Sequence, residues 1–120
     1  MNQTTLGFII KSPPIGSSRG REALDIIFMA ATFDYPVDVF FIGEGVYHLI
    51  DGDAPGILTI QNPAKNFSTL PLYDVENLFV EAEFFTHRAF AKEALSVPVT
   101  LLNQTDLKAR LSQCTWKMVL

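Results

Sequence analysis

Short apolar segments alternate with helix-like segments along this 120-residue chain, and this alternation constrains the fold more than any other feature. Residues 37–43 (VDVFFIG) form a nearly continuous apolar run, which is typical of a central strand covered on both faces. Strands that alternate with helices favour a parallel sheet with helices on both sides. We therefore predict one α/β domain over residues 1–120. The predicted strands are residues 5–11, 37–43, 77–82, 98–102 and 115–120.

Helices are predicted in the segments between these strands. The first ends at Asp34-Tyr35-Pro36, because the residue before a proline disfavours helical backbone. Pro63 suits the first position of a helix, and Thr105 is placed to cap the last one. Residues 57–73 carry the least informative pattern. The predicted helices are residues 19–33, 63–70, 87–95 and 106–113, with a helical turn over 45–50.

The first predicted helix is apolar nearly all round. Residues 23–33 read ALDIIFMAATF, in which only Asp25 and Thr32 are polar. A helix that lies on a sheet needs a polar outer face, so we expect another subunit to cover this one. The alternative is that Ala30 and Ala31 face solvent and the apolar stripe is merely wide. The candidate interface residues are Ile26, Ile27, Met29 and Phe33.

The composition supports association with other chains and argues against several other functions. Ten Phe and 48% hydrophobic residues are more than a domain this small buries easily, and only 18% are charged. A net charge of −4 disfavours direct contact with nucleic acid. The single cysteine excludes an internal disulfide. The first apolar run, residues 6–10, predicts neither a signal peptide nor a membrane span, so we expect a cytoplasmic protein.

Two loops contain residues of the types found in ligand sites. Residues 16–20 (GSSRG) follow the first strand, where doubly wound folds bind phosphate, but they lack the spacing of a nucleotide loop. A helix cap and a turn is the competing interpretation, and a flavodoxin-like ligand binder remains a rival function. His48, Asp51 and Asp53 could suggest a metal site, although their spacing is not that of a ligand set. We predict no bound metal and no cofactor.

Two further positions could carry chemistry. His87 and Arg88 follow the third strand, at the edge where α/β active sites gather, but no nucleophile lies near them in the sequence. Cys114 comes at the end of a helix and before the last strand, on the side opposite that edge. A helix C-terminus disfavours a thiolate, so we predict a structural role for this cysteine. A sulfurtransferase that uses Cys114 remains the rival interpretation.

Three short blocks stand in order along the chain: residues 20–25 (GREALD), 39–46 (VFFIGEGV) and 72–76 (LYDVE). Together they resemble the TusC/DsrF branch of the DsrE/DsrF/DsrH family of sulfur-relay proteins, from the first strand to the last. The resemblance implies a three-layer α/β/α domain around a five-stranded parallel sheet. It also implies a non-catalytic subunit that works with TusB-like and TusD-like sister subunits in a heterohexamer, a dimer of trimers.

The family resemblance also assigns a meaning to one position of the third strand. Such complexes pass persulfide sulfur to a TusE-like acceptor, for 2-thiolation of the wobble uridine in tRNA. The carrier cysteine belongs to the TusD/DsrE-type subunit, at the end of its third strand. Glu81, or an immediate neighbour, occupies the matching place here, and a carboxylate cannot carry a persulfide. The resemblance fits equally a DsrF-type subunit of a dissimilatory sulfur-oxidation complex.

Overall fold

The computed structural model describes residues 4–13, 19–50, 67 and 69–120. It contains a five-stranded, all-parallel sheet in the order β4-β3-β2-β1-β5. This confirms the predicted fold class. Within the described ranges, no helix combines the length and the apolar character that a bilayer span needs. The strands are β1 (Leu6–Ile10), β2 (Val37–Phe41), β3 (Asn77–Glu81), β4 (Thr100–Leu102) and β5 (Trp116–Val119).

Helices cover both faces of the sheet. The described α-helices are α1 (Arg19–Thr32), α2 (Ala82–His87) and α3 (Gln104–Ser112). On β2, Val39 and Phe41 belong to the larger core beneath α1, whereas Phe40 packs with Phe79 on the opposite face, under α3. Every residue of β2 is buried, which explains why this strand reads as a continuous apolar run. The chain passes stepwise from β1 to β4 and then returns across the other face through α3 to β5.

The first helix is as long as predicted and ends where the sequence indicated. Glu22 in its first turn is favourable to the helix dipole. Asp34 follows the last turn with φ 63°, and its N–H donates to the Ala31 carbonyl at 2.9 Å. This left-handed residue and Pro36 turn the chain into β2. The predicted helix over 63–70 lies mostly outside the described residues, and a 3-10 helix spans Leu70–Tyr73.

The prediction of a helix over residues 87–95 is wrong. Helix α2 begins directly after β3 and ends at His87, and only a 3-10 turn over Lys92–Ala94 follows. Phe85 is the buried residue of α2, and Ala89, two residues beyond the end of the helix, turns the chain away with φ 56°. The apolar pair Phe84-Phe85 therefore belongs to a helix and not to a loop beyond the strand.

Two predictions of local structure near the loops have different outcomes. The helical turn expected over 45–50 is present as a 3-10 helix over Gly43–Leu49. Thr105 does not cap α3; Asn103 does, and its side-chain oxygen accepts a hydrogen bond from the Asp106 N–H at 2.8 Å. An asparagine whose side chain reaches the third residue of the helix satisfies one of the free N–H groups there.

Candidate functional site at the carboxyl edge of the sheet

The Glu81 carboxylate joins three segments at the carboxyl edge of the sheet. Glu81 is the last residue of β3 and is partly buried. Its Oε1 accepts a hydrogen bond from the Gly43 N–H at 3.0 Å, just beyond β2. Its Oε2 accepts one from Gln104 Nε2 at 2.8 Å, at the start of α3. Both oxygens are engaged by donors, so this carboxylate fixes the ends of neighbouring segments relative to each other.

Gly43 has the backbone conformation that this contact requires. Its φ of 55° lies in the left-handed region, which glycine adopts without the steric cost that a side chain imposes. The residue lies between the end of β2 and the 3-10 helix Gly43–Leu49. The turn at Gly43 directs its N–H towards Glu81 and starts that helix, which carries Tyr47 to the edge.

An aromatic cluster supports the segment that follows Glu81. The Tyr47 ring lies 6.0 Å from Phe84 and 5.5 Å from Phe90, in edge-to-face geometry that aromatic pairs prefer. Arg88 Nη1 donates to the Tyr47 hydroxyl at 2.7 Å, and the guanidinium lies 4.7 Å from the centre of the Phe84 ring. Sequence reasoning placed Arg88 at this edge but did not identify Tyr47 as its partner.

An open depression of about 670 Å³ lies over α2. His87 and Arg88 line it, as expected from their place after the third strand. The lining offers carboxylates, a hydroxyl, an imidazole and a guanidinium, but it contains no thiol. This chemistry suits contact with a polar partner and does not supply a sulfur nucleophile. The lining residues are Glu81, Ala82, Glu83, Phe84, Thr86, His87 and Arg88.

Cys114 lies far from this edge, in the small core beneath α3. Its side chain is buried, and it lies two residues before β5, at the amino end of that strand. The thiol Sγ lies 3.8 Å from both Asp38 Oδ2 and the Arg110 carbonyl oxygen. Burial raises the pKa of the Cys114 thiol above its ordinary value, and the Asp38 carboxylate raises it further. Lys117 and Arg110 act in the opposite direction, but the pKa remains raised, so the buried thiol lacks the exposure and the lowered pKa of reactive cysteines.

A partly buried ion pair beside Cys114, between Asp38 and Arg110, was missed by the sequence analysis. Asp38 Oδ2 accepts a hydrogen bond from Arg110 Nε at 3.0 Å, and Oδ1 accepts one from Asn77 Nδ2 at 3.1 Å. The hydrogen bond to Asp38 raises the pKa of the Arg110 guanidinium, which also lies 4.9 Å from the centre of the Phe79 ring. A charged residue within the apolar run VDVFFIG was the available signal, since a buried carboxylate needs a cationic partner.

The residues considered for metal and phosphate binding do not form a site among the described residues. His48 is buried, and its Nε2 donates to the Ser12 carbonyl oxygen at 2.8 Å, while its ring packs on Phe67. Asp51, Asp53 and residues 16–18 lie outside the described ranges. Within those ranges, no three His, Cys, Asp or Glu side chains are grouped to hold a metal ion.

The four candidate interface residues of α1 are divided between the core and the surface. Ile27 is 0% exposed and belongs to the core on the sheet, so it is not available to a partner. Ile26 is partly buried against the same core. Met29 and Phe33 are 62% and 70% exposed, one turn apart on the outer side of the helix. Sequence reasoning did not identify Leu72 and Tyr73, which are also exposed beside α1.

Comparison with known proteins places this geometry in a family. A sequence profile described as the DsrE/DsrF-like family matches residues 5–119. A Protein TusC homolog of Aliivibrio fischeri is 35% identical over 114 residues, covering 95% of this chain and 97% of the relative. One of Pseudomonas aeruginosa is 34% identical over 90% of each chain. The crystal structure of the ychN protein from E. coli matches with a TM-score of 0.80, covering 98% of this chain and 100% of that one; at 13% identity, this likeness shows the fold.

Proposed function

The chain belongs to the DsrE/DsrF-like family, and on that premise we propose that it serves a sulfur relay as a subunit that does not itself carry the sulfur. The observation that carries this proposal is the position of Glu81 and the hydrogen bonding of its carboxylate. It stands at the end of β3, where the family resemblance puts the carrier thiol of the sister subunit, and its two oxygens accept hydrogen bonds from Gly43 and Gln104. A carboxylate in that position cannot form a persulfide.

Cys114, the single cysteine of the chain, is poorly suited to relay chemistry. A relay cysteine attacks as a thiolate, and thiolates form where the pKa is lowered and the sulfur is accessible. Cys114 is buried, its pKa is raised, and it lies at the end of the sheet opposite Glu81. The persulfide therefore resides on another subunit, for which a TusD-like chain is the candidate. A TusB-like chain completes the proposed dimer of trimers, and a TusE-like protein is the proposed acceptor.

The product of the proposed relay is the 2-thiouridine of tRNA wobble positions. The names of the relatives support this choice over dissimilatory sulfur oxidation, since all five curated relatives compared are called Protein TusC or a homolog of it. Deletion of the gene should remove 2-thiouridine from hydrolysed tRNA, measured by liquid chromatography with mass spectrometry. Normal thiouridine with impaired oxidation of reduced sulfur would assign the chain to the other pathway.

A sulfur-loading experiment tests whether the chain is a carrier. The purified chain is incubated with a cysteine persulfide donor, and its intact mass is measured before and after reduction. We expect no reducible one-sulfur adduct on this chain, either as wild type or as Cys114→Ser, and an adduct on the cysteine-bearing sister subunit treated in parallel. A reducible adduct on the wild-type chain that Cys114→Ser abolishes would show that this chain carries sulfur itself.

A further inference from the structure

Five exposed apolar side chains lie on α1 and on the segments beside it. Phe33 directly follows α1 and continues its last turn, since its N–H donates to the Met29 carbonyl oxygen at 3.3 Å, so the Met29 and Phe33 side chains lie on one side. Tyr73 contacts the same helix, with its ring 4.6 Å from that of Phe28. Tyr35 and Leu72 adjoin these residues along the chain, and the 3-10 helix Leu70–Tyr73 contacts α1, so the five side chains are here grouped as the α1 apolar surface. Its members and their exposed fractions are Met29 62%, Phe33 70%, Tyr35 48%, Leu72 81% and Tyr73 52%.

The extent of the α1 apolar surface is that of a protein interface. Whole aromatic side chains have about 150–250 Å² of surface, so these exposed fractions amount to roughly 500–600 Å². A stable interface buries about 800 Å² per partner, of which a little more than half is apolar, or roughly 450 Å². Met, Phe and Tyr are residue types enriched in interface cores. The surface can therefore supply the apolar centre of a complete interface.

The charges around the α1 apolar surface disfavour a second copy of the same chain as the occupant. Residues 22–36 and 69–76 contain no Lys or Arg. The exposed acidic residues Asp25, Asp34, Asp74 and Glu76 lie within or beside the same segments. Two copies meeting through this surface would bring like charges together, which opposes association. A partner with an apolar centre and a basic rim would gain attraction from the same charges.

The position of the α1 apolar surface leaves the Glu81 edge free. Helix α1 ends at Thr32 and β2 begins at Val37, so Met29 and Phe33 lie near the amino ends of the strands. The 3-10 helix Leu70–Tyr73 likewise precedes the start of β3. Glu81 lies at the carboxyl end of β3. A protein bound to this surface would not cover the depression over α2.

We infer that the α1 apolar surface binds a different protein chain, which presents an apolar patch rimmed by Lys and Arg. This inference rests on the proposed function in one respect: the partner is identified with a sister subunit of the relay. The contact anchors the sister subunit at the amino edge of the sheet while the carboxyl edge of this chain, with Glu81, stays accessible.

The test measures pairwise affinity between the full-length chain and the purified DsrE-family sister chains of the same organism. We expect Phe33→Asp to weaken binding by about 30-fold or more, the effect of losing a hot-spot residue. Val119→Asp is the matched control, because Val119 is 60% exposed on β5, away from this surface. It should leave the affinity unchanged. The double charge reversal Asp25→Lys with Asp34→Lys should weaken binding severalfold and reduce its salt dependence.

Three other binding outcomes count against the inference. An unchanged affinity of Phe33→Asp, with its fold verified by circular dichroism, would place the sister subunit elsewhere. Self-association of the chain alone that Phe33→Asp abolishes would make a second copy the occupant. Failure of every sister chain to bind would also overturn it. If the complex forms through this surface but moves no sulfur to the acceptor, the proposed function fails while the interface stands.

Discussion

Replacing Glu81 with alanine tests whether its carboxylate holds the carboxyl edge of the sheet together. The substitution removes the acceptors of the Gly43 N–H at 3.0 Å and of Gln104 Nε2 at 2.8 Å. A hydrogen bond to a charged group contributes about 1.5–3 kcal/mol. Because Glu81 is only partly buried, water replaces part of this interaction, and the lower end of the range applies. We expect Glu81→Ala to lower the free energy of unfolding by about 2–3 kcal/mol.

Thermal and urea unfolding provide the assay, followed by circular dichroism. For a domain of this size, about 1 kcal/mol corresponds to roughly 4 °C, so the melting temperature should fall by about 8–12 °C. Glu81→Gln is the control, since its amide oxygen can accept from Gly43 and the Gln104 amide can turn to present its oxygen. We expect that variant to lose less than about 1 kcal/mol.

A double-mutant cycle separates the two hydrogen bonds of Glu81. Gln104→Ala should cost about 1–1.5 kcal/mol alone but much less in the Glu81→Ala background, giving a coupling of about 1 kcal/mol. Additive effects of the two substitutions would refute the contact. So would a stability of Glu81→Ala within about 0.5 kcal/mol of the wild type, since surface substitutions without specific contacts have effects of that size.

Four further substitutions test the buried polar groups and the tight packing near β1. Arg110→Met should lower the free energy of unfolding by about 3 kcal/mol in urea, because it leaves the Asp38 carboxylate, which is 2% exposed, without its cation. Asp38→Asn should cost less, because the Arg110 side chain that it leaves unpaired is 37% exposed and can be hydrated. The reverse order of the two effects would contradict this reasoning. Burial lowers the pKa of His48 from 6.5, so the unfolded state binds a proton more readily and stability should fall as the pH drops below about 6.5. His48→Gln should make stability depend less on pH, and an unaltered pH profile of stability in this variant would show that His48 is not the titrating group. Gly45→Ala should lower the free energy of unfolding by about 3 kcal/mol, because the added Cβ would collide with the Ile10 carbonyl oxygen. A melting temperature equal to that of the wild type would show that the 3-10 helix shifts away from β1 without cost.

The sequence was sufficient to predict the strands and their parallel arrangement. The run at residues 37–43 is apolar because β2 is buried on both faces, and this pattern depends on local composition alone. The helix over 87–95 was predicted wrongly because α2 begins at Ala82, directly after β3, with no side-chain cap to mark its start. The early end of α2 also depends on Ala89, an alanine in a left-handed conformation, for which the sequence gives no signal.

The contacts of the candidate site and of the ion pair beneath α3 could not be predicted, because they join residues distant in the sequence. Gly43 and Glu81 are 38 positions apart, and Asp38 and Arg110 are 72 apart. Such pairs depend on the register of strands and on the side of the sheet that each helix occupies. Composition does not specify either. The family resemblance matched Glu81 with the carrier cysteine of the sister subunit, and the structure adds the two groups that its carboxylate contacts, Gly43 N–H and Gln104 Nε2.

The strand order has a consequence for the synthesis of the chain on the ribosome. Strand β1 lies between β2 and β5, and Leu6 pairs with Trp116. Until β5 emerges, the backbone of β1 presents one row of unpaired groups beside the apolar Phe8 and Ile10. Pairing over such a sequence distance is slow, and an unpaired apolar strand invites aggregation. The nascent chain should therefore depend on chaperones until β5 is made, and truncation before Trp116 should leave an aggregation-prone product rather than a smaller folded domain.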